Sequence, residues 1–186
     1  GFVHIATTMY WVSVSIYTYG SIPAAGTAAL TIGLILILSL YWGLFGFFLA
    51  ILNTLEAIWM IPFFVVFIEF LKGILFTGFP WNLMGAALPP HLVISQIADI
   101  IGVYGLSFII CFVNLFIFRF TGRYLKKEAP GILREGIIVF LVLVSAYGYG
   151  LVRIAEIQQR VKAWKKIRVC VIQPDIDQAL KWTQPW

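Results

Sequence analysis

Apolar residues run through this chain in long blocks rather than in the short stripes of a soluble helix or the alternation of a half-buried strand. Five blocks, at residues 2–19, 24–52, 58–77, 99–118 and 136–152, are long and apolar enough to cross a hydrocarbon core about 30 Å thick, which takes roughly 17 to 25 helical residues. The first two contain no Asp, Glu, Lys or Arg, since no such residue precedes Glu56. The second is the longest and must tilt, kink or protrude. Its Gly26, Gly33, Gly43 and Gly46 read as close helix packing. Between the third and fourth blocks, residues 78–98 carry Pro80, Pro89 and Pro90, each of which biases its predecessor away from helix. This stretch reads as a membrane-surface loop in which Phe79, Trp81 and Leu83 dip into the interface where aromatic rings prefer to sit. Asp99 stands where a helix N-cap would.

After Arg153 the pattern changes. Residues 154–166 read as a polar connector, helical or extended, and residues 167–172, Ile-Arg-Val-Cys-Val-Ile, read as a short buried strand bounded by Pro174 and Asp175. One strand cannot form a soluble domain alone. The expected organisation is therefore a helical bundle over 1–153, a connector over 154–166 and the opening of a water-exposed domain over 167–186. Gly1 is expected to be an internal position of a longer protein, because the chain begins without Met or a basic leader.

Composition narrows the classes. Hydrophobic residues make up 61% of the 186 positions and charged residues 11%, against about 25% charged in an ordinary soluble protein. That excludes a water-soluble single domain and a disordered chain, and two Cys exclude a disulfide scaffold. The net charge of +5 is not a nucleic-acid signal. Residues 1–118 hold only Lys72, Glu56, Glu69 and Asp99, and the other ionisable side chains, twelve basic and five acidic, follow Phe118. The loop 119–134 carries Arg119, Arg123, Lys126, Lys127 and Arg134 against Glu128, and short basic loops stay in the cytoplasm. Residues beyond Arg153 are then expected outside. Their own basic residues point the other way, but segments leading into large domains cross largely regardless of charge.

Few residues offer chemistry. Glu69 and Lys72 lie three apart on one face of the third block. A proton or ion pathway is one reading of such a pair. The favoured one is a neutralised pair locking the helix to its neighbours, with Lys72 reaching outward. Gly102, Gly105 and Ser107 form a small-residue face suited to packing against another helix. Cys111 and Cys170 are both expected in apolar, buried surroundings, which suits inert thiols. His4 and His91 are isolated, so no metal site and no cofactor are expected. Trp182 follows the strand and a turn, and reads either as a partly buried Trp or as a membrane-surface contact.

The order of these pieces resembles the bacterial apolipoprotein N-acyltransferase family, membrane enzymes that carry a nitrilase-like α/β domain on a helical bundle. The resemblance rests on Tyr10-Trp11, Thr18-Tyr19-Gly20, Glu69, and Leu75-Phe76-Thr77-Gly78-Phe79-Pro80-Trp81. It continues through Gln96-Ile97-Ala98-Asp99, Gly102-Val103-Tyr104-Gly105-Leu106-Ser107-Phe108, Asn114, Val171-Ile172-Gln173-Pro174-Asp175-Ile176 and Lys181-Trp182. Asp175 stands where the family commonly has Asn. The resemblance implies a polytopic α-helical protein of the bacterial inner membrane, followed by the first strand of an α/β nitrilase-like domain on the periplasmic side. It also implies acyl transfer from a membrane phospholipid to a diacylglyceryl-modified apolipoprotein, through a thioester on the Cys of a Glu, Lys and Cys set. No nucleic-acid partner or particular oligomeric state is implied. The set falls beyond Trp186, neither Cys111 nor Cys170 matches its Cys, and only Trp182 matches a family position that handles substrate. These 186 residues alone are expected to be inactive. A piece of a multi-span transporter or a non-catalytic membrane scaffold would also account for the blocks, though not for the terminal strand.

Overall fold

The structure, a computed structural model, describes residues 1–51, 57–126 and 131–173. Seven α-helices follow in order: α1 (Phe2–Met9), α2 (Trp11–Tyr19), α3 (Ala24–Ile51), α4 (Ile61–Ile74), α5 (Leu92–Ser95), α6 (Ala98–Lys126) and α7 (Ile132–Ala163). Three of the five apolar blocks are helices long and apolar enough to cross a membrane: α3, residues 98–122 of α6, and α7. Only 11%, 22% and 17% of their most apolar stretches is buried inside the protein. Among the described residues most of their apolar surface is thus uncovered, as in helices solvated by lipid. This is a helical membrane protein.

The first and third blocks are helical but interrupted. Tyr10 separates α1 from α2 while keeping helical dihedrals, φ −56° and ψ −32°. The join is a tightened turn in which Ser13 N–H donates to the Tyr10 carbonyl at 3.1 Å. The third block starts as a 3-10 turn (Ala57–Met60) and becomes α4 at Ile61, with Pro62 in the first turn, where its missing N–H costs nothing. It ends at Ile74, because Leu75 is extended and Phe76 is left-handed at φ 52°.

The core is small. Ile5 and Met9 of α1, Ile35, Leu38 and Tyr41 of α3, and Ile68 of α4 form one buried cluster. On α7 the buried positions are Glu135, Val139, Ala146 and Gly150, spaced four, seven and four apart so that they fall on one stripe. Gly150 is needed there: a Cβ would stand 1.8 Å from the Val93 carbonyl oxygen of α5. Three of the four glycines of α3 are different; at the fourth, Gly26, a Cβ would meet only the Ile22 side chain just before the helix, at 2.8 Å. A Cβ at Gly33, Gly43 or Gly46 would meet nothing within 4 Å, so the expected close packing is not where these glycines lie.

Three further expectations change. Asp99 is not an N-cap; α6 begins at Ala98, and the Asp99 carboxylate accepts from Tyr149 Oη at 2.8 Å and meets Arg153 Nε at 2.9 Å. No break marks the start of the connector: of its two expected forms it takes the helical one up to Ala163, because α7 runs through Arg153 as one helix of 32 residues, about 48 Å long. Residues 167–173 have no regular secondary structure, and Ile167, Val169, Val171 and Ile172 are exposed. Cys170 is therefore exposed and not buried in a sheet. The physical reason is the one that makes a lone strand unstable: among the described residues there is no second strand to pair with it.

The α6–α7 pair is held by ions at both ends. Near the basic loop, Arg119 Nε and Nη2 donate to Glu135 Oε2 and Oε1 at 3.1 and 2.8 Å. Glu135 is buried and Arg119 nearly so, and the guanidinium lies 5.0 Å from the Trp59 ring centroid. The opposite end carries the Asp99–Tyr149–Arg153 contacts. Glu135 and Arg153 are 18 residues apart on α7, about 27 Å along the axis, close to the thickness of a hydrocarbon core.

Removing Glu135 leaves the Arg119 guanidinium without the carboxylate it donates to. Glu135→Leu should lower unfolding free energy by about 3 kcal/mol, and Arg119→Leu combined with Glu135→Leu should recover most of that loss. Reversible unfolding in detergent, run as a double-mutant cycle, measures both; equal losses in the single and double variants would refute the pairing.

Candidate functional site

The chemistry-bearing residues of the apolar half converge on the loop between α4 and α5, which is irregular apart from two short 3-10 turns. Backbone that leaves a helix has unpaired N–H and C=O groups, which need partners wherever they are shielded from water. Here α4 and α6 supply them, and α1 holds a side chain of the same loop. Lys72 Nζ of α4 donates to the Trp81 and Asn82 carbonyls at 2.9 and 3.2 Å. One turn earlier on the same helix face, Glu69 Oε1 accepts the Met84 N–H at 2.7 Å. Ser107 Oγ of α6 accepts the Gly85 N–H at 2.8 Å. From α1, Thr8 Oγ1 accepts from Asn82 Nδ2 at 2.9 Å. The Phe79 N–H completes the set by donating to the Lys72 carbonyl at 2.7 Å.

This arrangement revises the reading of Glu69 and Lys72. The structure brings both to one place, as their spacing requires, but they form no direct ion pair. Each is spent on loop backbone instead. Lys72 does not reach outward either: it is 7% exposed, and its ammonium is tucked under two carbonyls. Glu69 is 5% exposed, and its second oxygen, Oε2, is buried with no hydrogen-bond partner. The two residues line a crevice with Tyr41, Trp42, Phe45, Val65 and Ile68, whose volume of about 10 Å³ suits a single water molecule. With Lys72 and Glu69 both bonded to loop backbone, the pair clamps the loop to α4.

The clamp holds strained backbone. Phe76 at φ 52° and Asn82 at φ 59° are left-handed without being glycine, which costs of order 1–3 kcal/mol each. The shape that results presents aromatic groups outward. Phe76 is 85% exposed, and Trp81 is 57% exposed with its ring 5.5 Å from that of Trp11. Phe79 packs instead against the core cluster of α1, α3 and α4. Of the three residues expected to dip into the interface, Trp81 is the exposed one, and Leu83 is half-buried.

Close packing occurs at the small-residue face, but at one residue of the three. Ser107 is fully buried against the 3-10 turn Met84–Ala87 rather than against a long helix. A Cβ at Gly102 would meet nothing within 4 Å, and one at Gly105 would meet the side chain of Ile101 in its own helix. Gly102 instead kinks α6, at φ 65° and ψ −177°. The glycine that close packing does require is Gly85, whose Cβ would stand 2.2 Å from the Val103 carbonyl oxygen. Its signal in the sequence was its place in a Pro-bounded loop, which reads equally as a turn.

Cys111 is buried with its sulfur 3.6 Å from Met84 Sδ, as an inert thiol would be. No group of His, Cys, Asp and Glu among the described residues is placed to hold a metal. His4 packs its ring edge-on to Trp42 and lies 3.5 Å from Asn82 Nδ2, and His91 is exposed. Trp182 lies outside the described residues. Sequence reasoning missed Thr8 and Asn82, whose small polar side chains carry no charge signal. It also missed Arg119 with Glu135, visible as opposite charges flanking one short loop.

Comparison with known proteins places this geometry. The family described as "Apolipoprotein N-acyltransferase N-terminal domain" matches residues 1–116, more than half of the chain. The apolipoprotein N-acyltransferase of Geobacter metallireducens is 30% identical over 193 residues, covering 98% of this chain and 35% of the relative. That of Rickettsia bellii is 29% identical, covering 99% and 36%, and that of Brucella suis 28%, covering 98% and 34%. This chain thus spans about a third of the length of these relatives. No solved structure matches it. The clamped loop, from Glu69 through Ser107, falls wholly inside the matched segment, and the chain belongs to the apolipoprotein N-acyltransferase family.

Proposed function

We propose that this chain is the membrane part of an enzyme that moves an acyl chain from a phospholipid to the N-terminal amine of a diacylglyceryl-cysteine lipoprotein. The observation that carries the reading is the clamped loop. Five hydrogen bonds from three helices hold strained backbone so that Trp81 and Phe76 face outward at the end of the spans. A rigid aromatic surface at headgroup level suits substrates that bring long acyl chains, because rings with few rotatable bonds lose little entropy when they contact lipid.

The bundle takes residues 1–153, the first and third blocks crossing as interrupted helices beside the three long ones. Residues 154–166 lead out of the membrane, and residues 167–172 pair as the first strand of a nitrilase-like domain completed by later chain. This domain faces the periplasm from the inner membrane, and Trp182 contacts substrate there. The reaction centre is a Glu, Lys and Cys set beyond Trp186. Its thiolate attacks the ester carbonyl, and the lysophospholipid hydroxyl leaves with a proton delivered by the set. The lipoprotein amine then attacks the thioester, forming the amide and returning the thiol. Residues 1–186 alone carry out neither step.

Three measurements test this. In the full-length protein with other accessible thiols replaced and Lys162→Cys introduced on the exposed connector, a membrane-impermeant maleimide should label that thiol in intact spheroplasts; labelling only after lysis would place the tail in the cytosol and overturn the reading. With phospholipid and no acceptor, the full-length enzyme should accumulate a hydroxylamine-sensitive acyl thioester, lost on Cys→Ala at the set's thiol; turnover without that thiol would refute the two-step route. Lys72→Met should cut acyl transfer roughly tenfold or more, by releasing two carbonyls that then need other partners, while Lys72→Arg retains more activity. Unchanged turnover in Lys72→Met would remove the loop from the reaction.

A further inference from the structure

Along the outward side of the α6–α7 pair, an apolar hollow runs into the ion cluster at its end. The hollow has a volume of about 490 Å³ and is lined by Ile97, Ile109, Leu141, Val142, Ser145 and Tyr149, among others. Its positions on α7 run from Leu141 to Tyr149, about 12 Å of helix. Ser145 is exposed and small, so the hollow is open to the surroundings of the bundle on that side.

The polar end decides what fits. Tyr149 Oη donates to Asp99, Arg153 Nε lies 2.9 Å from Asp99 Oδ2, and Arg153 Nη1 lies 2.9 Å from Glu156 Oε2. Arg160 also pairs with Glu156. These side chains are not sealed in: Arg153 and Asp99 are 31% and 36% exposed, and Glu156 is 41% exposed. Two cations and two carboxylates make the cluster electrically neutral and zwitterionic. Arg153 Nη2 has no partner among the described residues. A transmembrane helix laid in the hollow would need apolar contact through the full thickness, whereas this surface changes character about 27 Å from the Glu135 end of α7, at headgroup depth. An amphiphile with one apolar tail and a compact charged head matches both parts.

We infer that this hollow holds one acyl chain of a zwitterionic glycerophospholipid, with its phosphate on Arg153 and its ammonium on the Asp99 and Glu156 carboxylates. The phosphate takes the free Nη2 donor, and each carboxylate keeps lone pairs beyond those already used. The bound lipid fills the seam between α6 and α7 on the side where the clamped loop lies, and its binding needs no acyl transfer.

The full-length protein in phosphatidylcholine nanodiscs doped with a phosphatidylethanolamine carrying a mid-chain diazirine tests this by photolabelling and peptide mapping. Residues 141–149 should be labelled well above the exposed apolar face of α3 at Leu36 and Leu40. Ser145→Phe, which fills the hollow from its open side, should abolish that excess, and Arg153→Gln should lower it roughly tenfold for loss of a charged hydrogen bond. Should Ser145→Phe fail to fold, Arg153→Gln carries the test alone. Equal labelling of α3 and α7 would mean ordinary bulk lipid, and absence of label on α7 in folded protein would mean that other protein covers the hollow; either overturns the inference. Labelling is read without turnover, so an inactive protein that retains the lipid separates this inference from the proposed reaction.

Discussion

Peptide groups that leave a helix inside a bilayer must find their partners within the protein, and the architecture of this chain follows from that requirement. The loop between α4 and α5 leaves regular helix in buried surroundings. It can do so because Lys72, Glu69 and Ser107 supply donors and acceptors to its backbone, while Thr8 holds the Asn82 side chain. Two ionisable groups in such surroundings are costly unless fully engaged. Lys72 meets that condition through two carbonyls, and Glu69 meets it at one oxygen. The same bonds offset the strain at Phe76 and Asn82 and so define which rings face outward.

The rest of the bundle uses charge sparingly and at the ends. Arg119 with Glu135, and Asp99 with Tyr149 and Arg153, sit at opposite ends of one antiparallel pair. Between them α7 buries small and apolar residues on a single stripe, Val139, Ala146 and Gly150, the last of them against α5. Ion pairs near the headgroups specify which helix neighbours which and in what register, while the apolar middle packs without preference for direction.

Much of this was legible from residue order. The long apolar helices appear because nothing polar interrupts them, and the family resemblance rested on Thr77 through Trp81 and Gly102 through Phe108, both within the matched segment. What was hidden was tertiary. Spacing put Glu69 and Lys72 on one face but could not reveal that a loop ten residues later would come between them. Asp99 before an apolar run reads as a cap, and only the arrival of α7 shows its partners to be Tyr149 and Arg153. Tyr10 carries no breaking signal, since its backbone stays helical and only the hydrogen-bond register changes. The strand expected at 167–172 depends on neighbours that the described residues do not supply.

The uninterrupted run of α7 through Arg153 to Ala163 has a mechanical meaning. A continuous helix transmits rotation: its azimuth at Ala163 is set by how it is seated at Glu135, with each residue advancing the phase by about 100°. A single inserted or deleted residue beyond Arg153 would leave every membrane contact in place and yet swing whatever follows Trp164 to another side of the stalk. Length between those two points is thus as much a part of the design as composition.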